Sequence, residues 1–193
     1  NEILAFEKTF ASFFADKKYS SVYVLVDENT VNYCYPIIKN NLPTHNVIEI
    51  QSGEKHKNLD TCSLVWKSFT DSNSDRKSLL VNLGGGVISD LGGFCASAYK
   101  RGIDFINIPT TLLAMVDASI GGKVGIDFNG YKNQLGFFEE ANAILVDKQF
   151  LSTLDDRQVK SGLAEMIKHA LISDLELNKI VEANNVNLLT DSL

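Results

Sequence analysis

Residues 78–90 read Ser78-Leu79-Leu80-Val81-Asn82-Leu83-Gly84-Gly85-Gly86-Val87-Ile88-Ser89-Asp90, and the fold turns on this stretch. A short, nearly continuous apolar run reads as a strand buried on both faces, the kind that parallel sheets use. Three glycines close it before a helix that begins near Val87. Glycines between a strand and a helix let the backbone approach a phosphate closely. The helix N-terminus adds unpaired N–H groups and a positive dipole end. Alone, such a turn reads equally as a phosphate cradle or as a tight turn, and it departs from the G-x-G-x-x-G dinucleotide fingerprint.

Working outward, the apolar spacing predicts a helix over 3–15, then a buried strand over 21–26 that ends at Asp27. A helix over 30–39, a strand over 47–50 and the polar loop 51–55 follow. The next helix carries Leu59, Cys62, Val65, Trp66 and Phe69 on one face. After Asp90 come a strand over 105–108, a helix, a loop and a strand over 143–146. This alternation predicts an α/β, Rossmann-like, doubly wound parallel sheet covered on both faces. Beyond Phe150 only helices are predicted, over 155–172 and 174–188. We therefore set a domain of residues 1–150 apart from residues 151–193, the start of an all-α domain too short to bury a core by itself.

The chain of 193 residues has a formal net charge of -6, which argues against a nucleic-acid partner. It leaves a small anionic substrate open, because a pocket can be locally basic inside an acidic protein. Cys34, Cys62 and Cys95 have neither paired nor zinc-finger spacing and read as small buried side chains of a reduced, cytoplasmic protein. No apolar run approaches the roughly 18 residues of a membrane span, and the acidic start is not a signal peptide. His45 and His56 read as surface or loop residues, Met115 and Met166 as core filler.

The charged residues gather around glycines. Asp90, in the first turn of its helix, reads either as a charge compensating the helix dipole or as a ligand for a cofactor hydroxyl. Pro109-Thr110-Thr111 follows a strand end, where ligands of open α/β sheets collect. Asp117 precedes the glycine-rich segment 119–127, which carries Lys123, and Gly130-Tyr131-Lys132-Asn133 adds a second lysine and an amide. With Arg101, these lysines beside glycine-rich turns point to a phosphorylated ligand.

The segments GGGVISDLGGFCASAYKRG (84–102), IPTTLLAMVDASIGGKVGID (108–127), YKNQLGFF (131–138) and GLAEMIKHALI (162–172) together resemble the 3-dehydroquinate synthases. The joint pattern, with VDENT (26–30) and SGEKHKN (52–58), spans nearly the whole chain. The resemblance implies a carbon–oxygen lyase of the shikimate route to aromatic amino acids. Such an enzyme uses NAD and a divalent metal, zinc or cobalt, to turn 3-deoxy-D-arabino-heptulosonate 7-phosphate into 3-dehydroquinate with release of phosphate. It also implies that residues 1–150 bind NAD and that 151–193 begin a metal- and substrate-binding domain.

Carried over by motif, Asp27, Asn29, Glu54 and Lys55 take the adenosine side of the cofactor. Gly85, Gly86 and Val87 take its pyrophosphate. Asp90, Thr110, Thr111 and Thr153 line it further along, and Lys123 and Lys132 touch both cofactor and substrate. Asn133 joins the substrate contacts, as does Arg101, which in the resemblance reaches across a homodimer boundary. Lys123, Asp117 and Lys168 take the catalytic roles, and Lys168 also contacts substrate. Glu165 is the metal ligand. His169 shares a helix face with it, but the resemblance puts the other ligands downstream, so the metal site is expected to be incomplete in this chain. On this reading the chain binds NAD better than it turns substrate over. The alternatives are another sugar-phosphate cyclase (2-epi-5-epi-valiolone or 2-deoxy-scyllo-inosose synthase), a metal-dependent NAD dehydrogenase, or an NAD-binding module without catalysis.

Overall fold

The computed structural model describes residues 3–5, 13–14, 17–173 and 179. Its sheet is built on β4 (Leu79–Gly84), every residue of which is buried. Side chains alternate across a strand, so Leu80 enters one core layer while Leu79, Val81 and Leu83 enter the other. The neighbouring β2 (Val22–Asp27) repeats this, with Tyr23 and Leu25 on the first side and Val22, Val24 and Val26 on the second. Two covered faces are why neither strand shows polar alternation.

Six strands pair in the order β1 (Ile3–Ala5), β8 (Ala143–Val146), β5 (Asp104–Pro109), β4, β2 and β3 (Asn46–Ile50). All of these pairings are parallel. On the first face, α3 (Leu59–Asp71) contributes Cys62, Val65 and Phe69, and α4 (Gly86–Ala98) contributes Ile88, Leu91 and Cys95. On the second lie α1 (Thr30–Tyr33), α2 (Tyr35–Ile38), Met115 and Phe150. Each large side chain buried this way contributes about 1.5–3 kcal/mol. The chain runs outward from β2 to β3, then returns to the other side of β2 as β4. A doubly wound sheet is therefore present, and its switch point lies between β2 and β4.

A polar thread runs through the layer beneath α4. Asn82 Nδ2 donates to Asn107 Oδ1 at 3.0 Å, and Asn107 Nδ2 donates to the Ser119 carbonyl at 3.3 Å. Ser119 and Ser89 hydroxyls meet at 3.2 Å. Gly92 is required directly below, because a Cβ there would stand 1.9 Å from Asn82 Oδ1.

Three expectations are corrected. Ile3–Ala5 is an edge strand, paired with Ile144–Val146, rather than the start of a helix; a short apolar run carries no periodicity to tell the two apart. The helix over 30–39 is broken into α1 and α2, with Pro36 in the first turn of α2. The segment read as glycine-rich loop is an antiparallel hairpin, β6 (Lys123–Phe128) and β7 (Tyr131–Phe138). Asn129 and Gly130 close it with φ of 52° and 82°, the left-handed pair of a two-residue hairpin turn. The predicted helix after β5 is present and ends in a π-helical turn, Ala114–Ala118, and the helix over 155–172 is α5 (Asp156–Ser173). The predicted helix 174–188 lies outside the described residues except for Lys179. Among the described residues no helix is long and apolar enough to cross a membrane.

Candidate functional site

Two adjoining clefts open at the carboxyl ends of the strands. The first, about 700 Å³, sits at the switch point and is lined by Asp27, Asn29, Glu54, Gly85, Gly86, Val87, Asp90, Thr110, Thr111, Lys132 and Thr153. Every residue assigned to the cofactor from the sequence is therefore on this wall except Lys55 and Lys123. The second cleft, about 750 Å³, is lined by Asp117, Lys123, Asn133, Phe137, Phe138 and His169 among others. Asp90 and Ala118 border both.

Asp27 is fixed where β2 ends. Its Oδ1 accepts from the backbone N–H groups of Asn29 at 3.0 Å and Thr30 at 2.8 Å, and its own N–H donates to Thr30 Oγ1 at 2.9 Å. Side-chain-to-backbone bonds of this kind close a tight turn and hold the carboxylate at the cleft. Across the cleft, Gly85 caps α4 with no side-chain hydrogen bond, so the first N–H groups of that helix are left for a ligand. A Cβ on Gly85 would stand 2.9 Å from Thr111 Cγ2, so glycine is what lets the turn lie against Thr111. Thr110 N–H donates to the Gly84 carbonyl at 3.0 Å and ties β5 to the turn.

Lys57, which the sequence reading passed over in favour of Lys55, is the buried hub between the clefts. Its side chain is only 4% exposed. Its Nζ donates to Asp90 Oδ2 at 3.1 Å and to Asn133 Oδ1 at 2.8 Å, and lies 3.4 Å from Glu54 Oε1. Its carbonyl accepts from Asp127 N–H at 2.8 Å. Asn133 is held in turn by Asp127 Oδ1, which accepts from its backbone N–H at 2.8 Å. Lys132 Nζ lies 3.1 Å from Glu54 Oε1, and that bond raises the lysine pKa. The hairpin is thus pinned to the cleft wall by charge pairs. Burial pushes the Asp90 carboxyl above its usual range, opposed by the Lys57 charge and reinforced by Glu54 and Asp127. Cys34, also on the first cleft, has its thiol pushed up to about 11, by burial first and the Asp27 charge second.

The second cleft ends at α5. Gly162 lets this helix sit close on the segment before the π-helical turn, since a Cβ there would stand 2.5 Å from Leu112 Cβ. Glu165, Lys168 and His169, three and four residues apart, present one face toward Asp117. His169 Nε2 is 3.1 Å from Asp117 Oδ1 and 3.6 Å from Glu165 Oε1. Lys168 Nζ is 3.9 Å from Asp117 Oδ1 and in contact with Glu165 Oε1. One ligand atom from each of Asp117, Glu165 and His169 lies within 4.8 Å of the others, and the Lys168 ammonium sits against the Glu165 carboxylate. Such a donor set fits a divalent cation. Glu165, the metal ligand of the sequence reading, thus has Asp117 and His169 beside it. Arg101 lies outside both clefts, in a surface groove with Asp75, Arg76 and Lys100.

The family model described as "3-dehydroquinate synthase N-terminal" matches residues 47–161. The 3-dehydroquinate synthase of Parabacteroides distasonis is 44% identical over 167 residues, covering 85% of this chain and 47% of that protein. The chain thus spans about half the length of this curated relative. A solved 2-epi-5-epi-valiolone synthase from Streptomyces hygroscopicus subsp. jinggangensis, with NAD+ and Zn2+ bound, superposes with a TM-score of 0.85 at 30% identity, covering 98% of this chain and 54% of that one. A 2-deoxy-scyllo-inosose synthase complexed with carbaglucose-6-phosphate, NAD+ and Co2+ gives 0.75 at 27%, covering 87% and 49%.

Proposed function

We propose, from the premise that this chain belongs to the 3-dehydroquinate synthase family, that it forms the NAD-binding half of a 3-dehydroquinate synthase. In this reading the complete enzyme converts 3-deoxy-D-arabino-heptulosonate 7-phosphate to 3-dehydroquinate and releases phosphate, as a carbon–oxygen lyase of aromatic amino acid biosynthesis. Residues 1–150 form the cofactor domain, and residues 151–193 begin a helical metal and substrate domain. The carrying observation is the convergence of the Gly85–Gly86 turn, Asp27, Asp90 and Lys132 on one cleft at the switch point. The 44% identity to a curated 3-dehydroquinate synthase favours this member of the family over the other cyclases.

When bound, NAD supplies a reversible oxidation that acidifies the C–H beside the new ketone, and a divalent metal polarises the oxygen concerned. The chain's own residues do the rest. The uncapped N-terminus of α4 takes the pyrophosphate, and the Asp27 carboxylate accepts from the ribose hydroxyls. Lys57 opposes the upward push of burial on the Asp90 carboxyl at the border of the two clefts. Lys123 and Lys132 balance the charge of a phosphate held against the hairpin. Asp117, on the second cleft, and Lys168, 3.9 Å from it, move protons in this reading. Arg101, outside both clefts, serves the site of a second copy in a homodimer.

Two measurements test this. NADH fluorescence on titration with the chain should report binding, and Asp27→Ala should weaken it. The complete enzyme should release phosphate from the heptulosonate phosphate and not from sedoheptulose 7-phosphate or glucose 6-phosphate, with no net NADH. Phosphate release from either of the latter two instead reassigns the substrate, and net NADH from a polyol points to a dehydrogenase.

A further inference from the structure

Tyr33 is a large aromatic side chain left open on the wall of the first cleft, where it is 59% exposed. Of the six tyrosines, Tyr19, Tyr23, Tyr35 and Tyr99 meet Asp104, Ser74, His45 and Phe69 respectively. Among the described residues, no hydrogen bond or ring contact holds the Tyr33 side chain. We propose that Tyr33 is the platform on which the adenine of a dinucleotide stacks, so that the base lies over the carboxyl ends of β2 and β3. This inference rests on the proposed function for the cofactor and goes beyond it in naming the residue that holds the base.

Strand order and register point to that position. Leu25 of β2 pairs with Asn82 of β4, so Asp27, two residues on, ends level with Gly84 of the glycine turn. On its other side Asp27 pairs with Ile50, the last residue of β3. Adjacent strands lie about 4.8 Å apart, so β4, β2 and β3 offer three positions in a row along the cleft. A pyrophosphate at the N-terminus of α4 takes the first, and a ribose at Asp27 takes the second. The base, one unit further along the ligand, takes the third.

Two walls flank this third position. One is α1, which follows the Asp27 turn and ends at Tyr33, and the other is the loop of Ser52 and Gly53 after β3. Glu28 ties them together across 24 residues: its Oε2 accepts from Ser52 N–H at 2.7 Å and its Oε1 from Ser52 Oγ at 2.6 Å. Gly53 has φ of 97°, and a Cβ there would meet nothing within 4 Å, so its backbone borders open space. An exposed tyrosine on a convex surface is ordinary. Tyr33 instead stands on a concave wall beside Thr30 and Cys34, which are buried on the same cleft. A flat base gains from stacking on such a ring whatever its hydrogen-bonding edge meets.

The test titrates the 193-residue chain with ADP, NADH and reduced nicotinamide mononucleotide, by calorimetry and nucleotide fluorescence, with circular dichroism to verify folding. Tyr33→Ala should weaken ADP and NADH about 10-fold, the scale of one lost base–aromatic stack. It should leave the mononucleotide, which has no adenine, unchanged. Tyr33→Phe should bind all three like wild type, because the ring and not the hydroxyl stacks. A folded Tyr33→Ala variant that binds ADP and NADH like wild type would overturn the platform and leave the cofactor reading standing. An equal loss of the mononucleotide, or a Tyr33→Phe variant as weak as the alanine, would also overturn it. Failure of the wild-type chain to bind either ADP or NADH removes the cofactor reading and the platform with it. ADP binding that Tyr33→Ala loses, without NADH binding by the wild type, supports the platform and reassigns the ligand to another adenine nucleotide.

Discussion

Replacing Lys57 with methionine keeps the buried stem and removes the charge. At 3.1 Å and an effective dielectric of about 20, the Lys57–Asp90 attraction is about 5 kcal/mol. Removing one partner of a buried pair costs about 3–5 kcal/mol, and Asp90, with 22% of its side chain exposed, recovers some hydration. The low end, about 3 kcal/mol, is therefore expected. With a urea slope of about 2 kcal/mol/M, the unfolding midpoint of Lys57→Met falls by about 1.5 M at neutral pH. The pH dependence follows from the direction of the Asp90 shift. A carboxyl whose folded pKa is raised binds its proton more tightly in the fold, so its penalty is absent at low pH and grows as pH rises from the usual carboxylate range through the raised value. Without Lys57 that value rises further. The gap between variant and wild type should therefore be widest at neutral pH and shrink by about pH 4–5. Lys57→Met/Asp90→Asn should recover most of the loss. A wild-type midpoint for the single variant, or a loss at neutral pH that the double variant does not relieve and acid does not narrow, would refute the reasoning.

Gly93 on α4 faces Val124 of the hairpin, and a Cβ there would stand 2.3 Å from Val124 Cγ1. Overpacking costs about 1–3 kcal/mol, partly offset by the ~1 kcal/mol helix preference of alanine, so Gly93→Ala should lower the urea midpoint. Combining it with Val124→Ala should give a coupling energy above about 0.5 kcal/mol in a double-mutant cycle, and strict additivity would contradict the contact. The three cysteines are buried, and Cys34 stays protonated at pH 8 because its thiol is pushed up to about 11. A thiol reagent at pH 8 should therefore react slowly with the native chain and with all three cysteines in denaturant; a fast native thiol would speak against that burial.

The parts of the fold that depend on local pattern were legible in the sequence. The Ser78–Gly86 run announces a buried parallel strand and its glycine turn, and Asp27 closes an earlier strand, so residues of the cleft could be named although the strand order that joins them could not. The hairpin was also announced, by Asn129-Gly130, a pair suited to left-handed conformations, but the glycines around it were read as loop. Gly125 and Gly136 instead face each other across the strands. What the sequence hides is direction. Lys55 lies inside one 3-10 turn, Glu54–His56, and Lys57 caps it; only the fold decides that Lys57 turns inward to Asp90 and Asn133, 33 and 76 residues away. The Glu165–His169 pair follows from helical spacing, but Asp117 joins it across 52 residues, where spacing has no reach.

The same contacts explain how a chain of net charge -6 keeps cations ready for an anionic ligand. Three lysines near the clefts stand beside carboxylates, Lys57 buried and Lys132 and Lys168 partly in solvent. Lys57 pairs with Asp90 and Glu54, Lys132 with Glu54, and Lys168 with Glu165 and Asp117. The buried pair fixes the Lys57 ammonium at the cleft wall, and the exposed pairs offset the repulsion of clustered positive charge. A phosphate or carboxylate arriving there meets donors already ordered, so part of the entropy of fixing long side chains is lost on folding rather than on binding. The net charge of the chain therefore says little about its ligand. The hairpin carries Lys123 and Lys132, the switch point carries the glycine turn, and Asp90 with its buried lysine joins the two. Under the proposed function, the local arrangement, not the overall sign, suits this acidic chain to phosphates.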